Sequence, residues 1–201
     1  MPLDDFFTFT VTLTKPLQQV RGHRFRAECA LGGRPFSTFE VDLAPPEPLV
    51  GAIDQVWGVD WLSFADVPTP AFPVYPLASQ IAEKLHALTL PRLRPNTRVK
   101  DLPDLALLAR LSDTLASELL SDAIHRTFEH RATHAIPFSL PKPPVEWRVP
   151  YARLVEMHAI AWTSLEDVTE LVERFLNPIL SSKSLGRWSA RHWAWVEQAH
   201  P

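Results

Sequence analysis

Glycine and cysteine are scarce in this chain of 201 residues, which has six of the first and one of the second. The lone Cys29 excludes an internal disulfide framework and fits a reducing compartment. Six glycines against 20 prolines leave few glycine-type turns and imply stiff, proline-held loops. No apolar run is long enough to span a bilayer, and no charged stretch leads into an apolar one as in a secretory signal. A soluble cytoplasmic protein with no membrane partner is therefore expected. A net charge of −3 carries no global nucleic-acid signature, so any polyanion must meet a local basic patch. P-loop, dinucleotide fingerprint and nucleophile elbow are all absent, as is any internal repeat. His130, Arg131 and His134 lack the spacing of a zinc site, and Cys29 has no nearby partner; satisfied surface or core residues are expected there.

What is present begins with strands. Phe6 to Thr14 alternates with period two, placing Phe7, Phe9, Val11 and Leu13 on one face. His23 to Leu31 alternates as cleanly, and after Gly32-Gly33-Arg34-Pro35 a third run follows from Phe36 to Leu43. Alternating runs around a short glycine turn predict an antiparallel hairpin. Shorter strands are expected near Trp61–Phe64 and Phe72–Tyr75, with Pro70, Pro73 and Pro76 forbidding anything longer. Helices are predicted near Leu77–Leu90, Leu102–Leu111, Thr114–His130, Tyr151–Ala161, Leu165–Leu176 and Arg187–Gln198, with an extended, proline-stiffened segment from Pro137 to Pro150. Strands followed by helices give an α+β class: a sheet region over 1–76, then a helical bundle over 77–201.

Chemistry is densest between Tyr75 and Leu111. At about 100° per residue, Leu77, Ile81 and Leu88 share a stripe with Lys84 in its middle. A lysine there needs a partner, a cleft or a route for its head group to solvent. Arg92, Arg94, Arg98 and Lys100 follow in a loop without acids, stiffened by Pro91 and Pro95. Asp101 and Asp104 then open the next helix, where an N-cap aspartate and a capping box would account for both. Capping leaves the preceding Arg98-Val99-Lys100 unexplained, since positive charge before a helix start opposes the macrodipole; a phosphate there would resolve the conflict. Upstream, Glu40 and Asp42 project from one strand face, a spacing suited to a divalent metal or equally to a solvent face.

AEKLHAL followed by RVKDLPDLALL resembles the later two active-site motifs of the nucleotidyltransferases of the AbiEii/AbiGii toxin family. FFTFTVTL, RFRAECALGGRPFSTFEVDLA, FPVYPLASQ and TFEHRATHAIPFSLPKPPVEW extend the resemblance over nearly the whole chain. It implies a polymerase-beta-like fold and a toxin of a toxin–antitoxin or phage-defence system. The implied activity transfers a nucleotide from an NTP, with magnesium, to an RNA acceptor such as tRNA, and the implied partners include an antitoxin. Lys84 matches the motif lysine, Asp101 or Asp104 the motif aspartate, and Asp42 a strand carboxylate on the metal. The family's earlier Gly-Ser and Asp-x-Asp motifs do not occur in the sequence. The resemblance therefore implies an N-terminally truncated member, weak or inactive alone, with a catalytically dead RNA- or antitoxin-binding module as the alternative.

Overall fold

A computed structural model describes residues 6–17, 21–45, 49–61, 63–93, 96–113, 115–181 and 185–197. The chain forms two compact units, Met1–Glu47 and Pro48–Pro201. The first holds a three-stranded antiparallel meander of β1 (Phe7–Pro16), β2 (His23–Leu31) and β3 (Arg34–Leu43), in that order. Gly32 and Gly33 join β2 to β3 with φ of +54° and +79°. Positive φ at both central residues is the type I′ geometry that matches strand twist, and glycine adopts it without a Cβ penalty.

The register places Val11, Ala27 and Phe39 across one another, and likewise Leu13, Phe25 and Val41. On this face the small central residues Ala27 and Cys29 are buried, while the Phe9 and Phe39 rings approach edge to face at 6.5 Å. The outer residues stay open: Phe9 is 57% exposed and Leu43 61%. The opposite face is threonines and charges, with Thr12, Arg26 and Glu40 in one row.

Among its described residues the second unit contains a small hairpin, β4 (Asp54–Trp57) with β5 (Ala71–Val74), and five helices: α1 (Leu77–Thr89), α2 (Asp101–Leu111), α3 (Ser117–Arg131), α4 (Arg148–His158) and α5 (Leu165–Leu180). A closing hairpin pairs β6 (Arg187–Ser189) with β7 (Ala194–Val196). Helix α5 organises the core. Ser164 caps it by accepting from the Asp167 amide at 3.0 Å, and Glu166 and Asp167 complement its positive end. Its Leu165, Val168, Val172, Phe175, Leu176 and Ile179 recur at helical spacing and are all buried. Helix α1 packs on α2 and α3, and α2 packs on α5. No described helix is long and apolar enough to cross a membrane.

Three expectations require correction. The strand expected at Trp61–Phe64 lies earlier, at Asp54–Trp57, and Ser63–Ala65 is a 3-10 turn. Within the proline-stiffened segment, a 3-10 turn at Val145–Trp147 runs directly into α4, because Pro150 sits in the first helical turn where its missing N–H costs nothing. The helix expected at Arg187–Gln198 is instead the β6–β7 hairpin. Trp188 and Trp195, seven residues apart, would share a helix face, but they are opposed across the hairpin. Their indoles decide the outcome: Trp188 donates to the Ala109 carbonyl at 2.8 Å, Trp193 to Leu171 at 3.0 Å and Trp195 to Phe175 at 2.8 Å. Each indole N–H thus meets a carbonyl of α2 or α5 while its ring fills core space. Trp188 belongs to the core, and Trp193 and Trp195 pack against it.

Candidate functional site

Helices α1 and α2 bring the two halves of the sequence-predicted cluster together. Pro76 precedes α1 and fixes its entry, and the Gln80 side chain donates back to the Tyr75 carbonyl at 2.6 Å. Ala78, Ile81, Ala82, Leu85 and Leu88 are buried, so Lys84 stands at the flank of the packed face with 29% of its side chain exposed. Its ammonium donates to Asp104 Oδ2 at 2.6 Å and lies 3.8 Å from Asp101 Oδ1. Arg98 Nη1 approaches the other Asp101 oxygen at 3.4 Å. Two carboxylates on α2 therefore hold one lysine of α1 and one arginine of the preceding loop.

Neither carboxylate caps its helix. Lys100 occupies the N-cap position in helical conformation without a side-chain hydrogen bond, and Asp101 is the first helical residue. The amides of Asp101 and Asp104 are served by the carbonyls of Arg98 and Lys100 at 2.9 and 3.2 Å. Both side chains are thereby free to turn toward cations. The capping-box expectation gives way to an interhelical ion cluster.

Burial divides the two aspartates. Asp104 keeps 38% of its side chain exposed, Asp101 only 3%. Burial pushes the Asp101 carboxyl above the usual range, outweighing the pull of Arg98, Lys84 and Lys100, with the Asp104 charge pushing the same way as burial. Among the described residues, Asp101 Oδ2 is buried without a hydrogen bond; Arg98 is close enough to attract it but not aligned to donate. An unmet buried oxygen is costly, and here it belongs to the carboxylate that lies between Lys84 and Arg98.

The remaining predicted residues disperse. Arg92 donates to the Ala87 carbonyl near the end of α1 at 3.3 Å, Lys100 is exposed, and Arg94 lies outside the described residues. Asp42 belongs to the sheet unit, where Arg24 grips both its oxygens at 2.6 and 2.7 Å and also donates to Glu40 at 2.8 Å. Among the described residues no three His, Cys, Asp or Glu side chains group to hold a metal. Between Asp101 and Asp104 stands the Lys84 ammonium, so this cluster does not fit a divalent cation. Its cation is the lysine.

On α1, next to this cluster, lies a second network that the sequence pattern did not reveal. Buried His86 bonds Thr133 through Nε2 at 2.8 Å, and Thr89 bonds His134 at 2.9 Å. Burial, with His134 and Arg131 nearby, lowers the His86 pKa to about 4. Arg131 also reaches Glu83 at 2.8 Å. His134 is thus a satisfied histidine, as expected. Only contacts between residues some 45 positions apart define this network, and no local pattern encodes them.

A family model described as nucleotidyl transferase AbiEii toxin, of type IV toxin–antitoxin systems, matches residues 2–191. No curated protein matches the chain significantly. The family match spans both units and includes the α1 and α2 segments that carry Lys84, Asp101 and Asp104. The chain belongs to the nucleotidyl transferase AbiEii toxin family.

Proposed function

We propose that the chain transfers a nucleoside monophosphate from an NTP to an RNA acceptor such as tRNA, with Lys84, Asp101 and Asp104 at the reacting end. The observation that carries this reading is the interhelical cluster, in which a half-buried lysine is shared by one accessible and one buried carboxylate. Lys84 meets the NTP phosphates as a compact positive charge. Asp101, too buried to reach substrate, positions Lys84 and Arg98. Asp104 is the exposed member and accepts the acceptor's hydroxyl proton. The hydroxyl oxygen bonds to the α-phosphorus, the bond from that phosphorus to the β-phosphate bridge breaks, and pyrophosphate leaves. Arg98 and Lys100 add to the positive field around the leaving group. An antitoxin partner and a role in phage defence belong to the same proposal.

The test is incubation of the chain with α-labelled NTPs, magnesium and bulk tRNA. The sequence has no Gly-Ser or Asp-x-Asp motif, so weak labelling is expected, and its loss in Lys84→Ala supports the assignment. That same absence favours a second reading, a binding module for RNA or an antitoxin. Salt-sensitive RNA binding with no labelling at any NTP would select it.

A further inference from the structure

Beside the ion cluster lies a cavity of about 450 Å³, with Asp104 among its lining residues. Helix α2 contributes Leu107 and Arg110, and α4 contributes Leu154 and His158. The chain then turns sharply at Ala159, whose φ of +48° is left-handed, and carries Trp162 to the cavity wall. Trp162 is held there twice. Its carbonyl accepts from the Tyr151 hydroxyl at 2.7 Å, and its ring meets Trp193 at 6.1 Å edge to face. The cavity is therefore built before any ligand arrives, with a fixed aromatic wall.

Its charge is one-sided. Lys100 and Arg110 line it, and the single acid, Asp104, is already engaged by Lys84. Among the described residues neither the Arg110 nor the His158 side chain has an ion-pair or hydrogen-bond partner. Apolar walls from Leu107, Leu154 and Trp162 with cations around them select an anion that carries a flat apolar body. Cavities of this volume suit small ligands of nucleotide size. Leu107 is 44% exposed on the cavity wall, and a ligand would cover it.

We propose that this cavity binds a nucleoside monophosphate unit, its base against Trp162 and Leu107 and its phosphate toward Lys100 and Arg110. The proposal rests on the nucleotidyltransferase reading, because Asp104 joins the cavity to Lys84. Two sources share this chemistry: the incoming NTP and the terminal nucleotide of an acceptor strand. Either way the unit lies beside the reacting centre, in reach of the Asp104 carboxylate.

Binding, independent of turnover, tests it. Dissociation constants for an NTP, for nucleoside monophosphates and for a short labelled single-stranded RNA are compared in the full chain and in Leu107→Glu, Arg110→Glu and Lys84→Ala. Leu107 and Arg110 are both exposed, so these variants keep the fold, with circular dichroism as the check. Each glutamate is expected to weaken the bound unit roughly tenfold or more, the size of one charge-assisted hydrogen bond. If NTP affinity falls, the cavity takes the incoming nucleotide; if RNA affinity falls while NTP affinity holds, it takes the acceptor end. Failure of the wild-type chain to bind any of these probes overturns the proposal, as do dissociation constants within about twofold of wild type in both glutamate variants. Weaker NTP binding in Lys84→Ala alone would sink the cavity and leave the transferase reading standing. Weaker binding in the glutamate variants with NTP affinity unchanged in Lys84→Ala would keep the cavity and sink that reading.

Discussion

In the sheet unit, Arg24 grips Asp42 with two parallel hydrogen bonds and Glu40 with a third, all on the polar face. In the helical unit, Lys84 and Arg98 share Asp101 and Asp104, and one buried oxygen finds no hydrogen bond among the described residues. The two clusters move their aspartates in opposite directions. Bonding to Arg24 holds Asp42 below the usual carboxylate range, whereas burial pushes Asp101 above it. A satisfied surface cluster has no unmet demand to offer a ligand. The half-buried one lies beside a cavity that Asp104 lines, and the proposed reading places the chemistry there. Apolar residues divide the same way: the helical unit closes over Trp188, while the sheet leaves Phe9 at its surface.

That division of burial is tested hardest at Trp188. The residue is fully buried and donates to Ala109, so Trp188→Ala should cost about 3–5 kcal/mol by urea unfolding. A cost under about 1 kcal/mol would mean that the hairpin does not close the core. Next comes Asp104→Asn, which keeps the side chain's shape but removes the proton acceptor. It should lower labelling roughly a hundredfold with little change in thermal midpoint, and full activity would remove Asp104 from the chemistry.

Legibility in the sequence follows the same divide between local and distant causes. Strand β2 appears where alternation predicts it, since each residue's face is set by its neighbours two positions away. Helices α1 and α2, and the meeting of Lys84 with both aspartates, also follow from local pattern and the short loop between them. The C-terminal hairpin does not, because a seven-residue tryptophan spacing fits helix and hairpin equally until the carbonyls of α2 and α5 are in place. Helix α5 runs past its expected end through Pro178 because Ile179 and Leu180 gain burial there. Trp162 enters the cavity only through a left-handed turn at an alanine, which carries no sequence signal.

Acidity probes the helical unit at intermediate size. The His86 pKa is lowered to about 4 in the fold, so the unfolded chain takes up a proton near pH 6.5 that the folded chain refuses. This contribution to stability is present above about pH 6.5 and is lost as the pH falls toward 4. Asp101, raised, has the opposite slope in the carboxylate range. His86→Gln should flatten the decline in urea midpoint between pH 7 and pH 5, and an unaltered decline would assign it to other groups. The mildest change is expected in the sheet, where Phe9→Thr alters a largely exposed ring on a strand that favours threonine. Its cost should stay within about 1 kcal/mol, and a loss matching that of Trp188→Ala would erase the contrast in burial.

If the half-buried cluster acts and the satisfied one does not, two substitutions must part company. Lys84→Ala and Arg24→Ala, assayed side by side for transfer of labelled NMP to tRNA, decide the matter. Labelling is expected to be abolished in the first and retained in the second. Retained labelling in Lys84→Ala, or equal loss in both, would contradict the division of roles between the two clusters.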